Sequence, residues 1–408
     1  MVTLEKIACL ALGSSFDSLG APLLKEASCE TSSETGREIC HDDLSRLAAL
    51  GMGTKYDVCA SSHSSAIPGV CHSFTPDGRC ISLFKTLYTN SCSHQCNYCI
   101  NASGCRCKPE AFSYTPEELA RLSLSLYKSN YVEGLFLSSA AGRDEDVIME
   151  KMIEVVQLLR CKYQFKGYIH LKILPGVSKG HIEEAMALSD RVSVNLEASS
   201  PSRMGEMSPS KDYSQDILQR QRYIRDLSRK INLPAGQTTQ LVVGGSDESD
   251  EEIFRRVVYE YEEMEVRRAY YSAFNPLEGT PFETRARQPL WREHRLYQID
   301  WLYRVYHFKP EDICLAFDEG GFLFNSDPKI AIARGTLDGP LDLNSAGYRD
   351  LIKVPGIGPR SARRILKLRT SKKIDKKDLH CMGVRLRKAS PFLIINSQRD
   401  ATLDMWSL

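Results

Sequence analysis

Between Ile81 and Ala273, short apolar runs alternate with helical patterns, and this alternation leaves the chain few folds. Candidate strands are Ile81–Leu87, Gly134–Ser138, Tyr168–Ile173, Val192–Leu196, Gln240–Val243 and Ala269–Ala273. Helical patterns between them cover Pro116–Asn130, Asp146–Arg160, Lys179–Leu188, Tyr213–Ile231 and Asp250–Met264. Thr115 followed by Glu118 spells a capping box for the first helix. Ile148, Met152, Val155, Val156 and Leu159 share one face of the second. Strands separated by helices pair in parallel through right-handed crossovers. Six such strands predict an α/β fold, a partial (β/α)6 barrel, with its active site at the C-terminal ends of the strands.

The 408 residues exceed one ordinary core and predict several domains. We expect a helical, loop-rich N-terminal extension over 1–80, the barrel over 81–285, a helical connector over 286–340 and a small all-α nucleic-acid-binding domain over 341–408. Leu290–His307 reads as a helix, and 309–340, rich in Pro, Gly and Asp, as a connector. No apolar run is long enough to span a bilayer. Ile7–Leu12 is apolar but short and lacks a basic start, so no signal peptide and a cytoplasmic location are expected. With no secretion signal, fourteen cysteines point to metal or redox use rather than a disulfide framework.

Three of those cysteines form Cys92-Ser-His-Gln-Cys96-Asn-Tyr-Cys99, directly after the first barrel strand. Thiolates are the ligands of iron–sulfur clusters. Three on one tight loop can bind three irons of a [4Fe–4S] cluster and leave the fourth open for chemistry. A structural zinc knuckle is the alternative, but no fourth Cys or His stands at zinc-ribbon spacing. Cys59, Cys71 and Cys80 precede this loop and are candidate ligands of a second cluster; buried packing is the competing reading.

A net charge of +1 hides an uneven distribution. Fourteen Lys and Arg against four Asp give Leu341–Ile395 a charge of +10, the footprint of a polyanion site. In this segment Asn344 is placed to cap a helix over Ser345–Lys353, Pro355-Gly356-Ile357-Gly358 forms a hairpin, and Pro359 opens a second helix with Ala362 and Ile365 facing inward. This resembles a helix-hairpin-helix. Gly356 and Gly358 would let the backbone approach a phosphate at a helix N-terminus, with Arg360, Arg363, Arg364 and Lys367 adding charge. A β-branched side chain at Gly358 should do more harm than the loss of one charge. A second, degenerate copy would turn at Met382-Gly-Val384 and close on Phe392 and Leu393.

The cysteine loop and the six βα units together resemble the radical S-adenosylmethionine (radical SAM) superfamily. The resemblance implies a [4Fe–4S] cluster on Cys92, Cys96 and Cys99, S-adenosylmethionine on its open iron, and a 5′-deoxyadenosyl radical that abstracts hydrogen from substrate. It implies an electron donor such as flavodoxin or ferredoxin. Tyr98 matches the aromatic position near the adenine. Ser138 and Ser139 stand where the family contacts the methionine amino group, in place of its usual Gly-Gly-Glu. Asn195 and Glu197 match the position that reaches the ribose or carboxylate, and Gly244 and Gly245 the glycine-containing strand that supports adenine. Longer segments are similar to the DNA modification/repair radical SAM subfamily. They are Tyr56-Asp-Val, Cys71-His-Ser, Gly78-Arg-Cys-Ile-Ser82, Glu133-Gly-Leu-Phe-Leu-Ser-Ser139, Tyr270-Tyr-Ser-Ala-Phe-Asn-Pro276, Arg292-Glu-His-Arg-Leu-Tyr-Gln298 with Asp300-Trp301, and the hairpin. The expected partner is nucleic acid, DNA before RNA. Two other functions compete: a radical enzyme for a small molecule or peptide, and a non-catalytic iron–sulfur DNA-binding protein.

Overall fold

The structure, a computed structural model, describes residues 69–75, 78–395 and 398–399. Two compact units divide the chain: one runs up to Glu248 and resumes over Arg256–Pro289, and the other joins Ser249–Arg255 to Leu290 and beyond.

The first unit is a seven-stranded sheet in simple order. Its strands are β1 (Val70–Phe74), β2 (Cys80–Leu87), β3 (Gly134–Ser138), β4 (Tyr168–Lys172), β5 (Arg191–Ser193), β6 (Gln237–Val243) and β7 (Arg268–Ala273). From β2 to β7 every neighbour is parallel, as the alternating pattern demands, and the curled sheet is a partial (β/α)6 barrel. The helices between them are α1 (Pro116–Lys128), α2 (Glu145–Gln157), α3 (Lys179–Leu188), α4 (Pro201–Met207), α5 (Gln219–Leu227) and α6 (Asp250–Glu262). The α1 capping box forms in both directions between Thr115 and Glu118. Met149, Met152, Val155 and Val156 of α2 are fully buried. Each such side chain contributes about 1.5–3 kcal/mol by leaving water.

Two elements differ from the sequence reading. Strand β1 pairs antiparallel with β2 inside the segment expected to be an extension. Its signal was Asp77-Gly78 between two short runs, because Gly78 takes φ +85° and turns the hairpin. Helix α4 was not expected. Ser200 accepts from the Arg203 N–H at its start and Pro201 occupies its first turn.

In the second unit lie α7 (Leu290–Arg304), α8 (Pro310–Cys314) and α9 (Pro328–Thr336). The last two lie within the segment read as a connector. Pro310 and Pro328 stand in first turns, where the missing N–H has no helical partner to lose. The C-terminal domain is not all-α as expected: strand β8 (Leu341–Asp342) joins β9 (Leu393–Ile395), an apolar and β-branched run, and β10 (Gln398–Arg399) in a small sheet, and between β8 and β9 lie α10 (Tyr348–Lys353), α11 (Pro359–Leu368), α12 (Lys376–Cys381) and α13 (Leu386–Ala389). Asn344 does not cap α10, whose N-cap is Gly347; its side chain accepts from the Ile374 N–H instead. Ala362 and Ile365 are fully buried, as α11's inward face requires.

Candidate active site

Strand β2 ends at Leu87, and the chain leaves the barrel in a loop that carries the three cysteines across its mouth. Neighbouring strand ends pin this loop. The Ser93 N–H donates to Ala141 O beyond β3 at 2.9 Å, and the Asn97 N–H donates to Met207 O at the end of α4 at 2.8 Å. Asn97 Nδ2 also donates to Glu206 O, and Ser210 Oγ accepts from the Gln95 N–H while lying 3.1 Å from His94 Nδ1. Cys96 Sγ lies 3.1 Å from Ser208 Oγ, and Lys108 Nζ donates to Cys92 O. The loop is thus fixed at several points before any ligand binds.

All three thiols line one cleft of about 790 Å³, its open mouth included. Ser139 after β3, Lys172–Pro175 at the end of β4, and Asn195 and Glu197 after β5 complete the wall, with Lys211 from the loop beyond α4. This is the C-terminal end of the parallel strands, where the barrel rule puts chemistry.

Burial first, and the Cys96 thiol second, push Cys92 above its ordinary pKa, and the same two causes raise Cys99 further. Crowded thiols that resist ionising alone suit a cationic metal centre, which takes them as thiolates. Among the described residues, no three His, Cys, Asp or Glu side chains are placed to share one metal ion. A single tetrahedral zinc needs each sulfur at about 2.3 Å. Lys211 supplies the opposite charge. Burial works against its ammonium, but Cys96, Glu197, Cys92 and Cys99 more than offset this and hold its pKa above the usual lysine value. Three crowded thiols with Lys211 beside them fit the anionic ligand shell of an iron–sulfur cluster.

Tyr98, Ser139, Asn195 and Glu197 all line the cleft. Asn195 Nδ2 donates to Glu197 Oε1 at 3.2 Å. Glu197 takes φ +62°, a left-handed conformation uncommon outside glycine, held by its N–H donating to Gln240 O and its carbonyl accepting from the Val242 N–H. Ser138 is fully buried beneath the wall. Gly244 and Gly245 are not among the lining residues. The Gly244 N–H donates to Glu248, and a Cβ on Gly245 would meet Met207 Cε at 2.7 Å. Their glycines serve the turn and the packing of α4.

Of the cysteines expected to hold a second cluster, Cys71 and Cys80 do not converge. Cys71 lies opposite Leu83, and Cys80 opposite Phe74, in the β1–β2 ladder. Since side chains alternate along a strand, Cys71 and Cys80 point to opposite faces, one buried and one exposed. Cys59 lies outside the described residues. Lys172, Lys211, Ser208 and Ser210 were missed from sequence. The last three come from a Ser/Pro/Lys loop without pattern, and Lys172 from a strand whose inward face could be told only from its register.

The Radical SAM superfamily model matches residues 86–256. No curated protein matches the chain. Among solved structures, the FeFe-hydrogenase maturase HydG from Carboxydothermus hydrogenoformans is similar at 12% identity and TM-score 0.44, over 55% of this chain and 51% of that one. Methylornithine synthase (PylB) is similar at 11% identity and TM-score 0.42, over 73% and 84%. The chain thus spans about half the length of HydG. Residues 86–256 are a radical SAM domain, the domain of enzymes built around a [4Fe–4S] cluster and S-adenosylmethionine.

Proposed function

We propose that the chain is a radical SAM enzyme acting on nucleic acid, with DNA the favoured substrate. The observation that carries the enzyme reading is the convergence of Cys92, Cys96 and Cys99 on one cleft at the C-terminal ends of the barrel strands. These thiols would be the three protein ligands of the cluster. When bound, the reduced cluster with S-adenosylmethionine supplies a 5′-deoxyadenosyl radical that takes hydrogen from a substrate. Tyr98 offers a ring at the mouth of the cleft, and Asn195 and Glu197 offer an amide and a carboxylate to hydroxyl or ammonium groups. Lys211 balances the charge of the ligand shell. A flavodoxin- or ferredoxin-like donor would deliver the electron. Among the described residues no helix is long and apolar enough to cross a membrane.

The second unit supports the nucleic-acid part of the reading. Helix α11 starts behind the turn 354–358 and exposes Arg360, Arg363, Arg364 and Lys367 on one side. Gly356 takes φ +86°, and a Cβ there would meet Arg385 O at 2.8 Å, so only glycine fits. The turn Met382-Gly383-Val384 packs beside it: the Arg385 N–H donates to Gly356 O, and Ser361 Oγ donates to Met382 O. Two glycine turns with exposed cations support reading this segment as a helix-hairpin-helix pair, suited to a phosphate backbone without reading sequence.

The test is anaerobic incubation of the reconstituted, reduced enzyme with S-adenosylmethionine and either DNA or RNA, with mass spectrometry of both products. The expected result is release of 5′-deoxyadenosine, increased by nucleic acid and accompanied by a mass change in it. Release indifferent to every nucleic acid would return the substrate to the small-molecule or peptide class.

A further inference from the structure

The strap that follows α4 is tied to the cysteine loop at several points. The Asn97 N–H and Nδ2 donate to Met207 O and Glu206 O, and the Gln95 N–H donates to Ser210 Oγ. Between these ties stands Ser208, fully buried, with its hydroxyl 3.1 Å from Cys96 Sγ. Helix α4 places it there. Ser208 is the C-cap residue: its N–H donates to Met204 O at 2.7 Å, and its carbonyl accepts from the Lys211 N–H at 3.1 Å. The turn thus uses the backbone of Ser208, and the hydroxyl meets the sulfur.

The other two thiols meet backbone donors. The His94 and Ala141 N–H groups hydrogen-bond Cys92, and the Asn101 N–H hydrogen-bonds Cys99. Main-chain donors stay in place whatever side chain they carry. The hydroxyl at Cys96 comes from a side chain on another element, so a single substitution can remove it. Against a neutral thiol, a buried hydroxyl gains little, because both sulfur and S–H are weak partners. Against a thiolate the bond is charge-assisted and about twice as strong, and only the hydroxyl can then donate. Hydrogen bonds to the sulfurs help to set the potential of an iron–sulfur cluster, because they favour its more negative, reduced state.

We propose that Ser208 tunes the reduction potential of the cluster: its hydroxyl donates to the Cys96 thiolate, favours the reduced state, and so brings reduction within reach of a one-electron donor of the flavodoxin or ferredoxin class. This rests on the radical SAM reading above and deepens it, whatever the substrate is. One electron passes from that donor to the iron–sulfur core. The hydroxyl proton stays on Ser208, and no bond forms or breaks. Ser208 is a positioning residue here, since it acts through the sulfur of Cys96.

The experiment is a redox titration of the anaerobically reconstituted full chain, without S-adenosylmethionine, with the reduced cluster read by electron paramagnetic resonance. At the wild-type midpoint, the reduced-to-oxidised ratio in Ser208→Ala should be lower by about threefold or more, since a charge-assisted bond has been lost. A smaller fall overturns the proposal. Ser208→Thr keeps the hydroxyl and should restore the wild-type ratio; a ratio as low as that of Ser208→Ala overturns it. Ser210→Ala is the control, because it removes a hydroxyl from the same strap that holds a backbone N–H rather than a sulfur. Its ratio should match wild type. An equal fall in Ser210→Ala overturns the proposal, because loosening of the strap would then explain both. If Ser208→Ala assembles no cluster, wild type decides alone. A brief exposure to heavy water exchanges a hydroxyl before buried amides, and electron–nuclear double resonance of the reduced cluster should then lose the signal of a coupled proton. An unchanged spectrum overturns the hydroxyl bond. Failure of wild type to assemble a [4Fe–4S] cluster would sink the enzyme reading and this inference with it, whereas an intact cluster whose potential ignores Ser208 sinks this inference alone.

Discussion

Lys85, Lys172 and Arg191 of the barrel are almost fully buried, whereas Arg360, Arg363, Arg364 and Lys367 of the second unit are all exposed. The two regions therefore use positive charge in different ways. A buried cation has lost most of its water, so it favours one anion of fitting shape and loses much when that anion is wrong. An exposed cation keeps its water, contributes little singly, and acts by summing with its neighbours along a polyanion. Chemistry needs the first kind of site, and holding a long substrate needs the second.

The largest effect that would separate the regions comes from the cysteines. Cys92→Ala, Cys96→Ala or Cys99→Ala should each abolish 5′-deoxyadenosine release, measured by chromatography after anaerobic reconstitution, while nucleic-acid affinity stays within twofold. Wild-type release in any of the three would remove the barrel's half of the comparison. Gly356→Val is the reciprocal test. Its φ of +86° and the 2.8 Å approach of Arg385 O leave no room for a branched side chain. Strain of about 1–3 kcal/mol should fall on the turn and weaken DNA binding about tenfold or more in a fluorescence anisotropy titration. Release in the absence of nucleic acid should not change. Gly358, the glycine singled out for a test on sequence grounds, is the milder of the two in the structure. Its φ is −104°, which any residue adopts, and its Cβ would meet the hydroxyl of Tyr306 at 2.9 Å.

One lysine of the second unit breaks the division. Lys329 is 6% exposed, lies 5.1 Å from the Tyr306 ring, and donates to the Ile357 carbonyl in the glycine turn. Burial pushes its pKa down to about 7, against the pull of Asp327. The unfolded chain, with an ordinary lysine near 10.4, binds more protons between these values. Stability from this group therefore rises with pH from about 7 to about 10, by at most about 1.4 kcal/mol per unit, and is lowest below pH 7 where the buried ammonium stays charged. Thermal melts of wild type against Lys329→Met should show that slope in wild type alone. Parallel curves would place the lysine in contact with water.

The strands were legible because each combines an apolar run with a flanking helix pattern, and Gly134–Ser138 and Lys179–Leu188 have the expected ends. Helix α2 runs into a π-helical turn at Leu158–Lys162, and a second one, Tyr213–Leu218, precedes α5. Neither leaves a mark in a 3.6-residue pattern, since a single π-helical turn is too short to set a period of its own. Three thiols within a span of eight residues announced the cleft. Lys172 and Lys211 did not, because a lysine on a strand or in a serine-rich loop reads as solvated until the register shows which face it occupies. The same limit applied to Cys71 and Cys80, whose nearness in sequence hid that they face opposite sides of the sheet.

The smallest effect concerns single charges on α11. Arg360 and Lys367 are exposed and seven residues apart on a helix, so they stand on nearly the same side, two turns from each other. If each neutralises one phosphate, Arg360→Ala or Lys367→Ala should flatten the slope of log affinity against log salt by about 0.9 on B-DNA. At moderate salt the loss of affinity should be only a few-fold, because an exposed ion pair is worth about 0–1 kcal/mol. The double variant should lose both increments additively, since charges two turns apart in high dielectric couple weakly. Preference among DNA sequences should not move, because backbone contacts position a duplex without reading it. A changed sequence preference, or a slope unaffected by either substitution, would mean that these side chains do not meet phosphates. The exposed cations would then lose their place in the comparison with the buried ones.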